Sequence, residues 1–281
     1  MTRLNIIKNK LEKLKNFDKN YCVFGSINHK YKLNNTLSKS ELKQFGKINN
    51  ITLPEEYANF LLEIGNGGAG PGYGIIGITP KQLTKRYYRF SYTFRFSGDF
   101  VPNTYNHCTM IEDDDLSCED CDKRFSCVDA FYEDDFECED DYISGYLDGT
   151  LNINNMGCGL ESRLILNGPE FGNVWINDPD QLFTPRRTLT KDRLSFYDWY
   201  ENWLDSQLSK FELIKSLFDK KVPYEEFFNT SISDFEVEEI IATFLGLLLI
   251  KINPSNYESS KFSLRELNVD LEKEYIRYIK Q

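Results

Sequence analysis

The chain has 281 residues and a formal net charge of −11, and 41% of its residues are hydrophobic. This length provides for one large globular domain or two small ones with a sizeable core. Lysines interrupt the first 17 residues, so we expect no signal peptide, and the longest apolar run, Ile240–Ile250, is too short to span a bilayer. Seven cysteines and no export signal predict a cytoplasmic protein without a disulfide framework.

The acidic character of the chain belongs to one segment. Residues 111–142 hold 15 acidic and two basic side chains, a net charge of −13. The 29 acidic and 31 basic residues elsewhere leave a net charge of +2. A concentrated anionic segment repels nucleic acid and attracts basic protein surfaces. The charge pattern therefore predicts a protein partner and argues against nucleic acid as a ligand.

Two helices are predicted before the central part of the chain. A row of four apolar residues at helical spacing predicts an amphipathic helix over residues 4–17. Ser38, followed three residues later by Glu41, is typical of a capping box and predicts that a second helix begins there. Residues 22–33, between the two helices, are interpreted as a polar connection in which His29 is solvated.

Residues 53–78 predict a helix, a glycine-rich turn and a short buried strand. Pro54 suits the first helical turn, and the two glutamates after it suit the positive end of the helix dipole. The glycines and asparagine of residues 65–68 accept the left-handed conformation of a helix C-cap, and the apolar stretch Gly74–Ile78 predicts a strand. Because these glycines follow a helix and no Walker-type motif is present, we interpret them as a helix stop rather than a phosphate-binding loop.

Further strands and helices are predicted downstream. Aromatic residues alternate with polar ones in Tyr87–Phe96, which predicts a strand, and short strands with glycine turns then predict an antiparallel meander. Residues 195–208 predict a helix with a buried aromatic face. The three tryptophans lie at regular spacing on predicted elements, and we interpret them as core residues. We interpret Cys158 as a small core residue. The meander strands are Tyr146–Ile153, Arg163–Leu166 and Asn173–Ile176, and the later helices are Phe211–Phe218, Tyr224–Phe228, Phe235–Ile250 (capped by Asp234) and Leu264–Ile279.

Four blocks of the sequence, taken in order, resemble the SMI1/KNR4 domain of the SUKH superfamily. The blocks are LPEEY…FLLEIGNGGAGPGYG from Leu53, GTLNINNMGCG from Gly149, LILNGPEFGNVWIND from Leu164 and SFYDWYENWLD from Ser195. The resemblance covers roughly residues 38–208. It implies an α+β fold with N-terminal helices, a mostly antiparallel sheet and C-terminal helices. Residues 1–210, with the acidic insertion at 111–142, would form this domain, and residues 211–281, which depart from the minimal family domain, are interpreted as a C-terminal helical extension packed on the same core.

The same resemblance implies a function. Bacterial members of the family are generally regarded as immunity proteins of polymorphic toxin systems, many of them paired with nuclease toxins. Fungal relatives suggest the alternative, a cytoplasmic regulatory scaffold that binds a cellular partner. We expect a non-catalytic immunity protein that binds and neutralises a cognate toxin through an acidic surface, with no membrane association.

Toxin contacts are expected in two places. Three acidic clusters would steer association with a basic toxin surface and set its salt dependence. Tyr73, at the tip of the glycine-rich turn, would add an aromatic anchor, and a packed Tyr73 is the alternative. The acidic clusters consist of Asp113, Asp114 and Asp115, of Glu133, Asp134 and Asp135, and of Glu139, Asp140 and Asp141.

The acidic segment also holds a possible metal site. Its cysteines, spaced C-x2-C-x5-C-x10-C, could supply the four thiolates of a tetrahedral zinc site, but the second half lacks a C-x-x-C, so free thiols are favoured over zinc. Asp113–Asp115 lacks the spacing of a calcium loop. Neither histidine, His29 or His107, lies near a nucleophile motif, so no active site is expected. The four cysteines are Cys118, Cys121, Cys127 and Cys138.

Overall fold

The computed structural model describes residues 1–99, 146–178, 182–252, 259–261 and 263–280. Within them the protein is mixed α/β, with seven α-helices and a four-stranded antiparallel sheet, which confirms the predicted combination of helices and antiparallel strands. No described helix has the length and apolar character that a membrane span requires.

Within the described residues, four α-helices precede the four-stranded sheet along the chain and three follow it. Short 3₁₀-helices occur at Tyr88–Ser91 and Tyr224–Phe228. The α-helices are α1 (Arg3–Phe17), α2 (Ser26–His29), α3 (Lys39–Asn49), α4 (Glu55–Glu63), α5 (Phe196–Asp219), α6 (Asp234–Phe244) and α7 (Leu271–Ile279), and the strands are β1 (Thr150–Gly157), β2 (Leu160–Ile165), β3 (Val174–Asp178), β4 (Leu182–Pro185), β5 (Ile250–Ile252) and β6 (Ser259–Lys261).

The chain folds as two compact units, Lys32–Tyr200 and the combination of Met1–Tyr31 with Glu201–Gln281. Residues 1–31 therefore pack with the C-terminal helices. The predicted division into residues 1–210 and a helical extension, 211–281, packed on the same core stays a prediction.

The sheet organises the unit Lys32–Tyr200. Its strands lie in the order β1-β2-β3-β4, and every neighbouring pair is antiparallel. Trp175 and Phe183, from adjacent strands, pack edge-to-face with ring centroids 5.1 Å apart. Tyr57 and Phe60 of α4 pack against Phe196 of α5 at 4.9 and 5.1 Å. Aromatic contacts thus join β3 to β4 and α4 to α5 within this unit.

Aromatic rings also form the core of the other unit. Phe17, at the end of α1, stacks on Phe211 of α5 with ring centroids 5.9 Å apart. Tyr275 of α7 contacts Phe218 and Phe227 at 5.4 and 5.2 Å.

All three tryptophans of the chain are at most 8% exposed, which confirms their interpretation as core residues.

A buried carboxylate follows α1. Asp18 is fully buried, and its two oxygens accept four hydrogen bonds at 2.5 to 3.2 Å. Backbone N–H groups of Cys22 and Val23 donate two of them, and the hydroxyls of Ser26 and Tyr31 donate the others. A charge removed from water is tolerated where such donors replace its hydration shell.

Two predicted strands are wrong. Tyr87–Phe96 forms a 3₁₀-helix followed by irregular chain, because the Asn167 side chain, rather than a neighbouring strand, bonds its backbone at Phe90, Tyr92 and Phe94. Gly74–Ile78 makes only isolated bridges through Ile75. Single side-chain amides satisfy backbone groups that the alternating pattern assigned to a ladder.

Helix boundaries in the C-terminal part also differ from prediction. No glycine or proline interrupts α5, so the predicted helix Phe211–Phe218 is its continuation. The predicted helix Phe235–Ile250 ends at Phe244, shortly before Gly246 with a φ of 73°, and Ser233 rather than Asp234 caps it. The last helix begins only at Leu271, where Asp270 accepts a bond from the backbone of Lys273.

Two side chains lie elsewhere than predicted. His29 is 9% exposed rather than solvated, because it belongs to α2 and its ring packs edge-on against Tyr31 and Trp203. Cys158 is exposed rather than in the core, because it occupies the turn between β1 and β2 with a φ of 50°.

Candidate protein-binding surface

The glycine-rich turn after α4 is held by hydrogen bonds rather than by apolar packing alone. Gly68 has a φ of 106°, and a Cβ there would lie 2.4 Å from the carbonyl oxygen of Lys32. Its N–H and C=O both bond to Ile75, at 2.9 and 2.7 Å. The Asn66 amide closes the turn on both backbone groups of Ile78. Only glycine fits this left-handed, crowded position, so the turn has one conformation.

The turn is fixed to the outer edge of the sheet. Tyr73 and Ile76 donate their N–H groups to Asn155 and Ile153 of β1, at 3.1 and 2.8 Å. The buried side chain of Asn154 donates to the carbonyl oxygens of Pro71 and Gly74, at 2.6 and 2.9 Å. The backbone that carries Tyr73 is therefore positioned by β1 from two directions.

The ring of Tyr73 lies beside Gly157 and stays 45% exposed. Gly157 has a φ of 90°, and a Cβ there would come within 3.3 Å of the ring. Of the two alternatives for Tyr73, a contact residue or a packed one, the structure favours an exposed ring on a rigid support. A preordered aromatic side chain loses little entropy on binding, which suits an interface anchor.

Arg186, which follows β4, adds a charge to this surface. Its Nη2 lies 3.1 Å from the sulfur of Met156, the residue before Gly157. Its Nε is buried and has no hydrogen-bond partner among the described residues, and none of their carboxylates pairs with its guanidinium. Burial lowers the pKa of Arg186, yet an arginine stays protonated in a protein.

We call Tyr73, Met156, Gly157 and Arg186 together the Tyr73 patch. An aromatic ring, a methionine and an arginine are the side chains in which interface centres are enriched. Removing a charge from water without an acceptor is costly, and a carboxylate or carbonyl of a partner would offset that cost. The patch can therefore bind a protein surface that brings an acceptor to Arg186.

Sequence reasoning identified Tyr73 but missed Arg186. The Arg186-Arg187 pair resembles any exposed basic dipeptide, and the two residues differ in the fold. Arg187 forms an exposed ion pair with Asp99, whereas Arg186 is partly buried against a side chain from a strand 30 residues earlier. No local pattern in the sequence distinguishes them.

The predicted acidic clusters and the four cysteines lie outside the described residues. The flanks of that stretch are described. Asp99 accepts a 2.6 Å hydrogen bond from Thr184, and this bond, with the Arg187 ion pair, lowers the pKa of Asp99. Tyr146 packs against Phe183, with ring centroids 5.8 Å apart. Both flanks therefore contact β4, the strand that leads into Arg186.

Among the described residues, no group of three or more histidine, cysteine, aspartate or glutamate side chains is arranged to hold a metal ion. His29 accepts a 3.0 Å hydrogen bond from the backbone N–H of Tyr31 at its Nδ1. That contact fixes the ring in the core rather than beside a nucleophile. The prediction for Cys118, Cys121, Cys127 and Cys138, free thiols in preference to a zinc site, stays a prediction.

Comparison of the chain with protein-family models, curated proteins and solved structures finds no match. The resemblance to the SUKH superfamily therefore rests on the four sequence blocks alone and stays a prediction.

Proposed function

We propose that this protein is a non-catalytic, cytoplasmic immunity protein of the SUKH type that binds a cognate polymorphic toxin and blocks it. The observation that carries the proposal is the Tyr73 patch, in which the consecutive residues Gly157 and Met156 contact an exposed aromatic ring and an arginine that lacks an acidic partner among the described residues. Such a surface suits protein binding, because it offers an anchor and an unmatched charge.

The coarse fold, helices with an antiparallel sheet, is the combination that the SUKH resemblance implies. A helix, a glycine-rich turn, an antiparallel sheet and an aromatic helix occur in the order that the four sequence blocks imply. A fold of this kind accommodates many partners. The family assignment therefore indicates only a class of function, and the partner must be inferred from the binding surface.

The acidic segment and the Tyr73 patch would have different roles in binding. A net charge of −13 over residues 111–142 would steer a basic toxin surface and raise the association rate at low salt. The described residues on either side of the stretch, Asp99 and Tyr146, contact Thr184 and Phe183 of β4, the strand that precedes Arg186. The patch would then hold the bound toxin and slow its dissociation.

The test begins with the product of the neighbouring gene. We would express it alone and together with this protein, and measure growth, co-purification and affinity at low and high salt. Relief of toxicity with a stable complex supports the proposal. A neighbour that is harmless and does not bind contradicts it and favours the regulatory scaffold.

Tyr73→Ala measures the contribution of the anchor. We expect an affinity loss of about 2 kcal/mol, or roughly 30-fold, because buried aromatic anchors contribute on this scale. Phe171→Ala is the matched control, since Phe171 is an equally exposed aromatic residue of the same unit, at 47%. If both variants lose the same amount of affinity, Tyr73 is not an anchor of the interface.

Charge reversal in the three acidic clusters tests the steering role. The variant should associate more slowly at low salt and approach the native rate at high salt, because exposed charges are screened. An unchanged rate and salt dependence would show that the acidic segment takes no part in binding.

A further inference from the structure

A second surface of the unit Lys32–Tyr200 is a groove between α3 and α4. It has a volume of about 630 Å³, within the range of about 300 to 1,000 Å³ that ligand-binding clefts span. Its floor is apolar, with Leu42, Leu53, Ala58 and Leu62 among the lining residues. Apart from Leu53, these four side chains are only partly buried, so an apolar partner would remove further surface from water.

Three lysines line one wall of the groove. Lys39, Lys43 and Lys47 follow one another at intervals of four residues and therefore share one face of α3. All three are exposed, and none forms an ion pair with a described residue. None of the described residues that line the groove is acidic. The groove is thus a positive surface on a protein whose net charge is −11.

Most of this arrangement does not stabilise α3 itself. Like charges four residues apart repel each other on a helix, and Lys39 lies at the N-terminal end, where the helix dipole disfavours a cation, although the dipole favours Lys47 in the last turn. The capping box formed by Ser38 and Glu41 begins the helix without any help from the lysines. The lysine row is therefore explained better by a ligand than by local stability.

The lining chemistry also limits the class of ligand. Proteins that bind single-stranded nucleic acid stack the bases on aromatic side chains, and the lining of this groove has no aromatic member within the part of the chain that the structure describes. An apolar floor beside a row of cations instead matches a helix with one apolar face and acidic residues along its edge, which is a common mode of peptide recognition.

We infer that the α3–α4 groove binds an acidic amphipathic helix of a partner protein. Successive lysines on α3 are about 6 Å apart along the axis, as are carboxylates at positions i, i+4 and i+8 of a bound helix. Three carboxylates with this spacing pair with the three lysines, while the apolar face covers Leu42 and Leu62. The site is separate from the Tyr73 patch and does not depend on the proposed toxin.

The probe is a synthetic helical peptide with glutamates at i, i+4 and i+8 and leucines on the adjacent face, labelled and titrated into the full-length protein. A scrambled peptide of the same composition measures non-specific binding. We expect the amphipathic peptide to bind and the scrambled one not to. If the amphipathic peptide does not bind, the inference is overturned. This holds also if the cause is that the chain's own acidic segment competes for the groove.

The variant Lys39→Glu, Lys43→Glu, Lys47→Glu locates the site. It should weaken binding of the acidic peptide about tenfold or more at low salt, because three exposed ion pairs are lost and replaced by repulsion. The control reverses three exposed lysines elsewhere, Lys8, Lys220 and Lys273, and should leave the affinity unchanged. Equal losses in both variants would indicate general electrostatics and contradict the inference.

A charge swap shows that loss of binding does not come from misfolding. A peptide with lysines in place of the glutamates should bind the triple glutamate variant and not the native protein. A single-stranded oligonucleotide, tested in parallel, should bind neither. Binding of the oligonucleotide at the groove in preference to the acidic peptide would replace the proposed partner class and overturn the inference.

Discussion

Two charged side chains, Asp18 in one unit and Arg186 in the other, are removed from water in opposite ways. Asp18 is fully buried, and four donors surround its carboxylate. Arg186 is partly buried, and among the described residues its guanidinium bonds only to a methionine sulfur. The carboxylate of Asp18 fixes the chain that follows α1, since four residues there donate hydrogen bonds to it. The guanidinium of Arg186 has no comparable set of partners among the described residues.

The difference separates a charge that builds the fold from one that is available to a partner. A fully bonded buried charge costs a great deal to disturb, because its donors are left unsatisfied. A buried charge without an acceptor destabilises the structure that holds it, so removing it costs little or stabilises. The same type of substitution should therefore have opposite effects at Asp18 and at Arg186.

Asp18→Ala should give the largest loss of stability. It leaves two backbone N–H groups and two hydroxyls without their acceptor in a dry site, and we expect the free energy of unfolding to fall by about 3 kcal/mol or more. Urea denaturation measures the change. The control is Asp219→Ala, which removes an exposed carboxylate paired with Lys215 and should cost about 0.5 kcal/mol or less. A similar cost at both positions would contradict the structural role of Asp18.

Arg163→Met and Arg186→Met compare two arginines of the same unit. Arg163 is 8% exposed and pairs with Glu161 at 2.8 Å, so its loss should cost about 3 kcal/mol. Arg186→Met removes a charge without an acidic partner among the described residues, and it should leave stability unchanged or raise it by about 1 kcal/mol. A loss at Arg186 as large as the loss at Arg163 would show that Arg186 has a structural partner.

The environment of Asp18 also predicts a dependence on alkaline pH. Burial, reinforced by the negative charge of Asp18, raises the pKa of Tyr31 above its ordinary value. The unfolded state loses the Tyr31 proton near pH 10 while the folded state keeps it. The contribution of this proton to stability is thus complete below about pH 10 and falls by about 1.4 kcal/mol per pH unit above it.

Tyr31→Phe isolates that contribution. Burial also raises the pKa of Tyr57 and Tyr200, so the native protein should lose stability through several tyrosines at high pH. The variant should start from a lower stability, because Asp18 loses one donor, and should then lose stability less steeply, by one proton. Urea denaturation from about pH 9 to about pH 11 measures both slopes, and parallel curves would contradict the assignment.

The sequence predicted those parts of the fold that short patterns determine. The capping box of Ser38 and Glu41 forms as expected, and α1, α3, α4 and the antiparallel meander lie close to their predicted positions. Alternation misled at Tyr87–Phe96, because the Asn167 amide takes the place of a strand partner. A contact from a residue more than 70 positions away has no local signature.

The candidate surface was predictable only in part for the same reason. Tyr73 follows from its position at the tip of a glycine-rich turn, whose hydrogen bonds to β1 then determine its exposure. The burial of Arg186 depends on Met156, which belongs to another strand. Which of the adjacent residues Arg186 and Arg187 lacks an acceptor depends on the pairing of segments that are distant in the sequence. Composition does not predict that pairing.

The measurement that tests the account most directly is a calorimetric titration of the neighbouring-gene toxin into Arg186→Met and Arg187→Met. Arg187 is the adjacent arginine, exposed and paired with Asp99. We predict that Arg186→Met weakens affinity at least about tenfold while its stability is retained, and that Arg187→Met changes affinity about twofold or less. Equal affinity of Arg186→Met and the native protein would contradict the claim that the Tyr73 patch binds the toxin.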